Sequence, residues 1–558
     1  MFKGFENTIS NVLQYKNKKR NILLATILAF VLSVMMIPSE LVLAKMLPGK
    51  NNDTFNIYID LPTGSSISQT SQVSQCIVDI LHKESEVKDI EVFLGMGSPL
   101  DFAGLIKGSH FKNSENLAEV VLNLSAKHHR EEPSYMMVQR LRPIITSQCE
   151  NIFKGTSIKF VEPPAGPPVM AAIVAEIYGN DAQGIRNLAL RTENVFKSVN
   201  GLVDIDIMQD DIYDRFEVRV DSIKISRSGL NVKQVNDILY LAFEGMEIAV
   251  KNSEVYDDQI PIFLTLSSET KLFSNKNKNA IEAKLASLKL MNTQGMMVPI
   301  TEVVKVIPIK SHPMIVSKNL HQMTNVLAET DMLSQVYPLM DARNIILDTF
   351  TDAYDIKKTG LFNLELQDKQ SKKVYKLIWD GEMEVTLDTF VELGAAFIAA
   401  LVLIFLLMVV YYKSFKLSGI VLLGSFLSII GVIVGHLIMD IFTQETFFLT
   451  ATSLIGFIAL IGISSRNSLL LLDFTKSLIF EKGMSQKEAI AYASATRAKP
   501  IFLTAVAIIL ASTLLASDAV FGGLGVSLIF GTVAAVISSL IVVPVLMDNT
   551  DLKKEFTH

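Results

Sequence analysis

Six stretches of this chain stay apolar for long enough to cross a bilayer, and they are unevenly spaced. They run Asn21–Leu43, Thr389–Tyr411, Leu417–Met439, Phe447–Leu472, Pro500–Ala516 and Gly522–Leu546. A helix of about twenty apolar residues matches a hydrocarbon core roughly 30 Å thick. The first stretch follows KNKKR at 16–20, as a secretory leader would. Its apolar run is long and lacks a small-residue cleavage site, so it reads as a retained helix. Between the first and second stretches lies a block, about 45–388, of ordinary soluble composition. The pattern predicts one helix, a large domain, then five helices.

Basic flanks fix the orientation, because Lys and Arg collect on the cytoplasmic side. KNKKR precedes the first stretch, and Lys413 and Lys416 lie between the second and third. Lys476, Lys482, Lys487, Arg497 and Lys499 lie between the fourth and fifth, and Lys553 and Lys554 follow the sixth. With six crossings, all of these fall on one side. The opposite connections, Asp440–Thr446 and Ser517–Phe521, carry acidic but no basic residues. Residues 1–20 are thus expected to be a cytoplasmic N-terminus, 21–45 the first crossing, 387–548 a five-helix bundle and 549–558 a cytoplasmic tail. The large block is expected outside the cytoplasm.

Inside the block the period changes. TFNIYIDLP (54–62) alternates apolar and polar residues, which predicts a strand. SSISQTSQVSQCIVDILHKE (65–84) follows with a Ser cap and helical spacing, then VKDIEVFLG (87–95) is strand-like again. The order returns as AEVVLNL (118–124), a helix over Pro133–Cys149 and SIKFVEP (157–163). It returns once more as AIVAEIYG (172–179), a helix over Asn187–Ser198 and FEVRVD (216–221). Repeated β-α-β is the logic of split βαβ subdomains, each helix burying its apolar face on a sheet. PPAGPPV (163–169) can continue neither a helix nor a central strand and reads as a boundary. A helix at Asn231–Phe243 and further strands form another unit to about Pro308. Met314–Glu329 and Thr359–Ile378 read as a return into the preceding subdomain.

Composition agrees with a membrane protein. The 558 residues are 49% hydrophobic, and the mean hydropathy of +0.36 is too high for a soluble chain of this size. A net charge of -6 leaves no electrostatic footprint for nucleic acid. Cys76 and Cys149 are too few for a metal motif. Both lie in the block placed outside the cytoplasm, where a disulfide is chemically feasible. Nothing in their spacing demands one, so two unpaired buried thiols are the default expectation. His128 and His129 point apart on either a helix or a strand, and read as a turn before a Pro-started helix rather than as metal ligands. The scattered methionines read as packing residues. No GxxxxGK followed by Ser or Thr occurs, which argues against an ATP-driven pump.

Arg466 changes the picture most. It lies inside the apolar stretch Phe447–Leu472. Insertion scales price an arginine near a helix centre at roughly 2.5–3.5 kcal/mol, and such residues usually mark an ion pathway and have a partner. No other strongly apolar stretch carries a mid-membrane Asp or Glu to serve as that partner.

Several segments resemble, in order, the C-terminal half of resistance–nodulation–division (RND) efflux permeases. They are LPGKNNDTFNIYIDLPTGSS (47–66), KHHREEPSY (127–135), VEPPAGPPVMAAIVAEIYGND (161–181), WDGE (379–382), GHLIMDIFTQETFFLTATSLIGFIALIGISSRNSLLLLDF (435–474) and RAKPIFLT (497–504). The resemblance covers about residues 10–548. It implies a membrane α-helical bundle with an α+β periplasmic domain: ferredoxin-like porter subdomains at 46–166 and at 167–222 with 309–386, and a docking subdomain at 223–308. It further implies proton-driven export of small molecules from the inner membrane or periplasm, with the proton gradient as energy source and no cofactor. The implied partners are the N-terminal half of the transporter, a trimeric assembly, a periplasmic adaptor and an outer-membrane channel.

In that family a basic residue in this helix pairs with acids from the other half, and protonating those acids loosens the pair. Arg466 occupies the basic position, where relatives often have Lys. An arginine is a fixed counter-charge rather than a proton carrier, so the carrier is expected to be a carboxylate from the N-terminal half. Asn467 adjoins Arg466 and could help hold it. By the resemblance Arg497 and Thr504 line the proton route. Arg497 reads equally as a snorkelling positive-inside residue, and Thr504 reads first as a hydroxyl bonded to its own helix. Asp473, seven residues beyond Arg466 and about 10 Å along the axis, reads first as an interfacial carboxylate. His436, next to the Gly431–Gly435 GxxxG, reads first as a neutral hydrogen-bonding residue, and the GxxxG as a close helix contact. Two other functions remain: a membrane-anchored scaffold that docks to an adaptor, and a protein-secretion helper of the same superfamily, which usually has a shorter outer domain.

Overall fold

A computed structural model describes the chain except residues 1, 50, 164–165, 167–168, 253, 256–258, 268–277, 332–333, 444–446, 519 and 557–558. Much of the PPAGPPV stretch thus lies outside the described residues. The chain forms two compact units, one of residues 1–208 with 315–558 and one of 209–314.

The first sheet is built from β1 (Thr54–Asp60), β2 (Val87–Leu94), β3 (Leu117–Leu124) and β4 (Ser157–Val161). Its order is β2-β3-β1-β4 and every neighbouring pair is antiparallel. Helices Ile67–Leu81 and Ser134–Cys149 cover one face. The first opens on a capping box of Ser66 and Gln69, which occupies backbone donors that the first turn leaves free. Phe55, Ile57, Val120 and Leu122 point into the core, where Val73, Ile77, Leu141 and Ile145 of the helices meet them. Because both helices lie on that face, Cys76 and Cys149 come within 5.9 Å (Cα to Cα) and are joined by a disulfide. The expectation of two free thiols is corrected. Closing a loop of 73 residues restricts the unfolded chain by about 4 kcal/mol in the chain-entropy account.

The second sheet repeats the plan. β5 (Ile173–Tyr178), helix Ala182–Ser198 and β6 (Leu202–Ile207) are followed by strand His321–Thr330, helix Val336–Thr349 and a three-strand meander ending at Val374–Asp380. Strand His321–Thr330 pairs with both β5 and β6, and Val374–Asp380 pairs with β5, all antiparallel. FEVRVD is therefore not the partner strand of this βαβ. It belongs to Asp214–Val220, which pairs with Val304–Lys310 inside the 209–314 unit. The overlooked strand, β6, carries a clear period-two signal in Val203, Ile205 and Ile207. Gly381 makes the sharp passage from Val374–Asp380 into the following helix at φ 88°, and a Cβ there would lie 2.5 Å from the Ala171 carbonyl oxygen.

Among the described residues five helices are long and apolar enough to cross a membrane: Glu382–Tyr412, Phe415–Phe442, Ala451–Phe480, Gln486–Ala516 and Gly522–Asp548. The first apolar stretch forms helix Lys16–Met35, which begins with a basic turn and ends before Pro38. The expected helix to Leu43 is shortened because proline supplies no donor for another turn. The fifth stretch is lengthened: Gln486–Ala516 runs unbroken through Pro500. Transmembrane helices tolerate proline, which here leaves the Thr496 carbonyl without its helical donor. In the last helix, Ser538–Val542 widens to a π turn, where Pro544 would otherwise meet the carbonyl of Leu540. Lys19, at the start of the first helix, pairs with Asp548, at the end of the last, at 2.7 Å. At the other end Ala44 bridges Leu449.

Candidate functional site

The Ala451–Phe480 helix packs against Gly522–Ile537, Phe415–Phe426, Gln486–Ala516 and Glu382–Tyr412. Its buried face is rich in small polar groups. Ser425 and Ser465 hydroxyls meet at 3.0 Å, and Ser464 and Ser538 both donate to the Gly424 carbonyl, at 3.4 and 2.9 Å. Small hydroxyl residues let helix backbones approach closely where no apolar driving force separates protein from lipid.

The opposite stripe is uncovered. Ile455, Ala459, Gly462, Arg466 and Leu470 recur at spacings of three and four, and all are exposed. Among the described residues nothing accepts from or pairs with the Arg466 guanidinium. One turn away, a Cβ added at Gly462 would meet nothing within 4 Å. Asn467 is turned to the buried side, 5% exposed, and its side chain makes no hydrogen bond among the described residues. Arg466 and Asn467 therefore address different faces.

The other candidates lie elsewhere along this helix. Asp473 accepts from the Tyr412 hydroxyl at 2.8 Å and from Tyr411 at 3.4 Å. Arg497 lies over the ring of Phe474 at 5.0 Å, with its Nε buried and unpartnered among the described residues. This puts it about 12 Å along the axis from Arg466. Thr504 donates to its own helix, with Ile501 O at 2.9 Å. His436 is fully buried, bonded to Val432 O at 2.8 Å and to Ser453 Oγ at 2.8 Å, in the first turn of the Arg466 helix. Ser453 and Asp473 are about 30 Å apart along that helix, one bilayer thickness. The six residues thus form no single cluster: His436 ties one end, Asp473 and Arg497 the other, and Arg466 stands between them on the outer face. The tyrosine pair was missed by motif reasoning; consecutive tyrosines at the end of an apolar run are a membrane-interface signal. Among the described residues no group of three or more His, Cys, Asp or Glu could hold a metal ion.

The sequence model of the AcrB/AcrD/AcrF family matches residues 1–548. Swarming motility protein SwrC of Bacillus subtilis (strain 168) is 24% identical over 380 residues, 67% of this chain and 32% of that protein. Two crystal forms of a heavy metal efflux pump superpose with TM-scores of 0.72 and 0.70 at 18% identity, covering 98% and 97% of this chain and 51% of theirs. The chain spans about half the length of those solved structures. At this identity the likeness establishes a shared fold.

Proposed function

The chain belongs to the AcrB/AcrD/AcrF family, and from that membership we propose that it works as one half of a proton-driven RND exporter of small molecules. It is a multi-pass membrane protein of a transporter family. The observation that carries the proposal is Arg466, exposed on a membrane helix, flanked by Ala459 and Gly462, and unpaired among the described residues. A bare guanidinium against lipid costs several kcal/mol. Small residues one and two turns away leave room for another helix, and a carboxylate on that helix would cancel the charge. The acids are assigned to an N-terminal half, and they carry the proton while Arg466 stays charged.

The remaining assignments follow the same reading. Helix Lys16–Met35 is the first of six crossings, supported by the Lys19–Asp548 pair at its start and by the bridge of Ala44, in the chain that follows it, to Leu449. The two βαββαβ lobes are the ferredoxin-like porter subdomains of a periplasmic domain, a location that the Cys76–Cys149 disulfide favours. Residues 223–308 are the docking subdomain. Its hairpin of Met246–Lys251 and Ile260–Leu264 exposes Ile248, Val250, Ile262 and Phe263, apolar surface that suits a trimer contact. The inner membrane is the expected location, with adaptor and outer-membrane channel as partners. The cargo class is drugs, amphiphiles or cations.

A thiol placed at Gly462 tests the missing helix. Both native cysteines are bonded to each other, so Gly462→Cys supplies a single reactive group at an uncrowded site. Co-expressed with an N-terminal half bearing single cysteines along its acid-carrying helix, it should form a disulfide at one helical periodicity. Equal, weak cross-linking at every register would reject the arrangement.

A further inference from the structure

The two βαββαβ lobes meet along a seam crossed by ion pairs whose cations come from one lobe and whose acids come from the other, while Lys159 is also paired with Asp60 of its own lobe. Lys107, Arg142 and Lys159 come from the β1–β4 lobe. Asp204 and Asp206 on β6, with Glu329 and Asp331 at the end of strand His321–Thr330, come from the other. Arg142 donates to Asp204 at 2.9 Å and to Asp331 at 3.2 Å. Lys107 pairs with Glu329, and Lys159 with Asp206. The cationic side chains are 12, 15 and 12% exposed, and their partners range from Asp204 at 4% to Asp206 at 42%, so Arg142–Asp204 is the shielded pair and the others are half-buried. Removing one partner would strand a desolvated charge. Burial alone would lower the Lys159 pKa, but Asp60 and Asp206 outweigh it and keep the ammonium charged.

Besides the ion pairs, the Phe160 backbone bonds Asp204 across the seam. Each lobe has its own apolar core, one built on Phe55, Ile57 and Val120, the other on Ile173, Ile177 and Phe196. Empty space flanks the ion pairs. A 170 Å³ cavity touches Lys107, Arg142, Glu162 and Glu329. A second of 490 Å³ touches Arg142, Asp204 and Asp331. Lobes joined by polar contacts and separate cores are expected to move relative to one another.

We propose that the cross-seam pairs of Lys107, Arg142 and Lys159 are an electrostatic latch that holds the two lobes closed. The latch relies on the porter reading only for what the movement serves.

Nitroxide labels on Ser147→Cys and Ser198→Cys report the seam. The two serines are exposed on helices of opposite lobes, next to Thr146 and Lys197, which both line the larger cavity. In the full-length chain in detergent, pulsed electron spin resonance should give one short, narrow distance population. Combining Asp204→Asn, Asp206→Asn and Glu329→Gln should move more than half of it to longer distances. Lys107→Glu alone should also open the seam, and Lys107→Glu with Glu329→Lys should restore the short population. Unchanged distances in the neutralised variant would overturn the latch. If that variant does not fold, unchanged distances in Lys107→Glu, or no recovery in the exchanged pair, decide against it. The readout needs no transport, so its failure leaves the export proposal standing, and failed export leaves the latch standing.

Discussion

Arg466→Ala is expected to bring proton-coupled export by the assembled transporter down to background, while Arg466→Lys keeps most of it. The reason is asymmetry. A paired charge in a membrane is tolerated, but an acid left alone is not. Breaking a buried pair by deleting one partner costs about 3–5 kcal/mol, a hundredfold or more in the population of the packed state that holds the stranded charge. The stranded carboxylate would also stay protonated, because burial disfavours its charged form, and a carrier that cannot release its proton cannot turn over. Lysine restores the charge on a shorter, more mobile head, so the pair survives with altered geometry. Proton-dependent dye export measures this directly. An Arg466→Ala protein with its phenotype intact would favour the scaffold reading instead.

The second large effect concerns packing rather than chemistry. Gly431 and Gly435 lie on Ser428–Phe442 where it crosses Gly522–Ile537. A Cβ at Gly431 would stand 2.3 Å from the Phe530 carbonyl oxygen and 2.6 Å from Ala534 Cβ, and one at Gly435 would stand 2.5 Å from Phe530 Cβ. The obstacle at Gly431 is backbone, which cannot swing aside as a side-chain tip can. Gly431→Val should therefore destabilise the bundle by about 3 kcal/mol or more, at the upper end for overpacking, and Gly435→Val by a comparable amount. Gly419→Ala, where a Cβ meets nothing within 4 Å, should melt like the unmodified protein. Thermal unfolding in detergent separates the three.

The reach of the sequence can be judged from these same residues. The GxxxG was legible because a small-residue repeat says that something comes close. That the close neighbour is Phe530 depends on how the helices cross, which periodicity does not encode. The depth of Arg466 was legible from the length of its apolar stretch. Its azimuth was not, because lipid-facing and protein-facing sides are similarly apolar and the buried side even carries Ser464, Ser465 and Ser468. Strand β1 was legible from its alternation, and β2 to β5 as short apolar runs recurring in β-α-β order. β6 was passed over although it alternates, because FEVRVD downstream alternates too and only strand pairing separates them. The Cys76–Cys149 bond needed the topology, since 73 residues of sequence separate helices that become neighbours only on a common sheet face. Asp473, Arg497 and Thr504 were chosen by position in the chain, and the structure spreads them because motif order carries no information about side-chain direction.

Proton flux in proteoliposomes tests the central claim most directly. The chain would be reconstituted alone, with an N-terminal half, and with that half carrying Arg466→Ala in this chain, each under an imposed pH gradient. Cargo-dependent proton movement should appear only when both halves are present and Arg466 is intact. Robust, Arg466-dependent flux through this chain alone would contradict the account, because it would mean that the proton-carrying acid lies within these 558 residues.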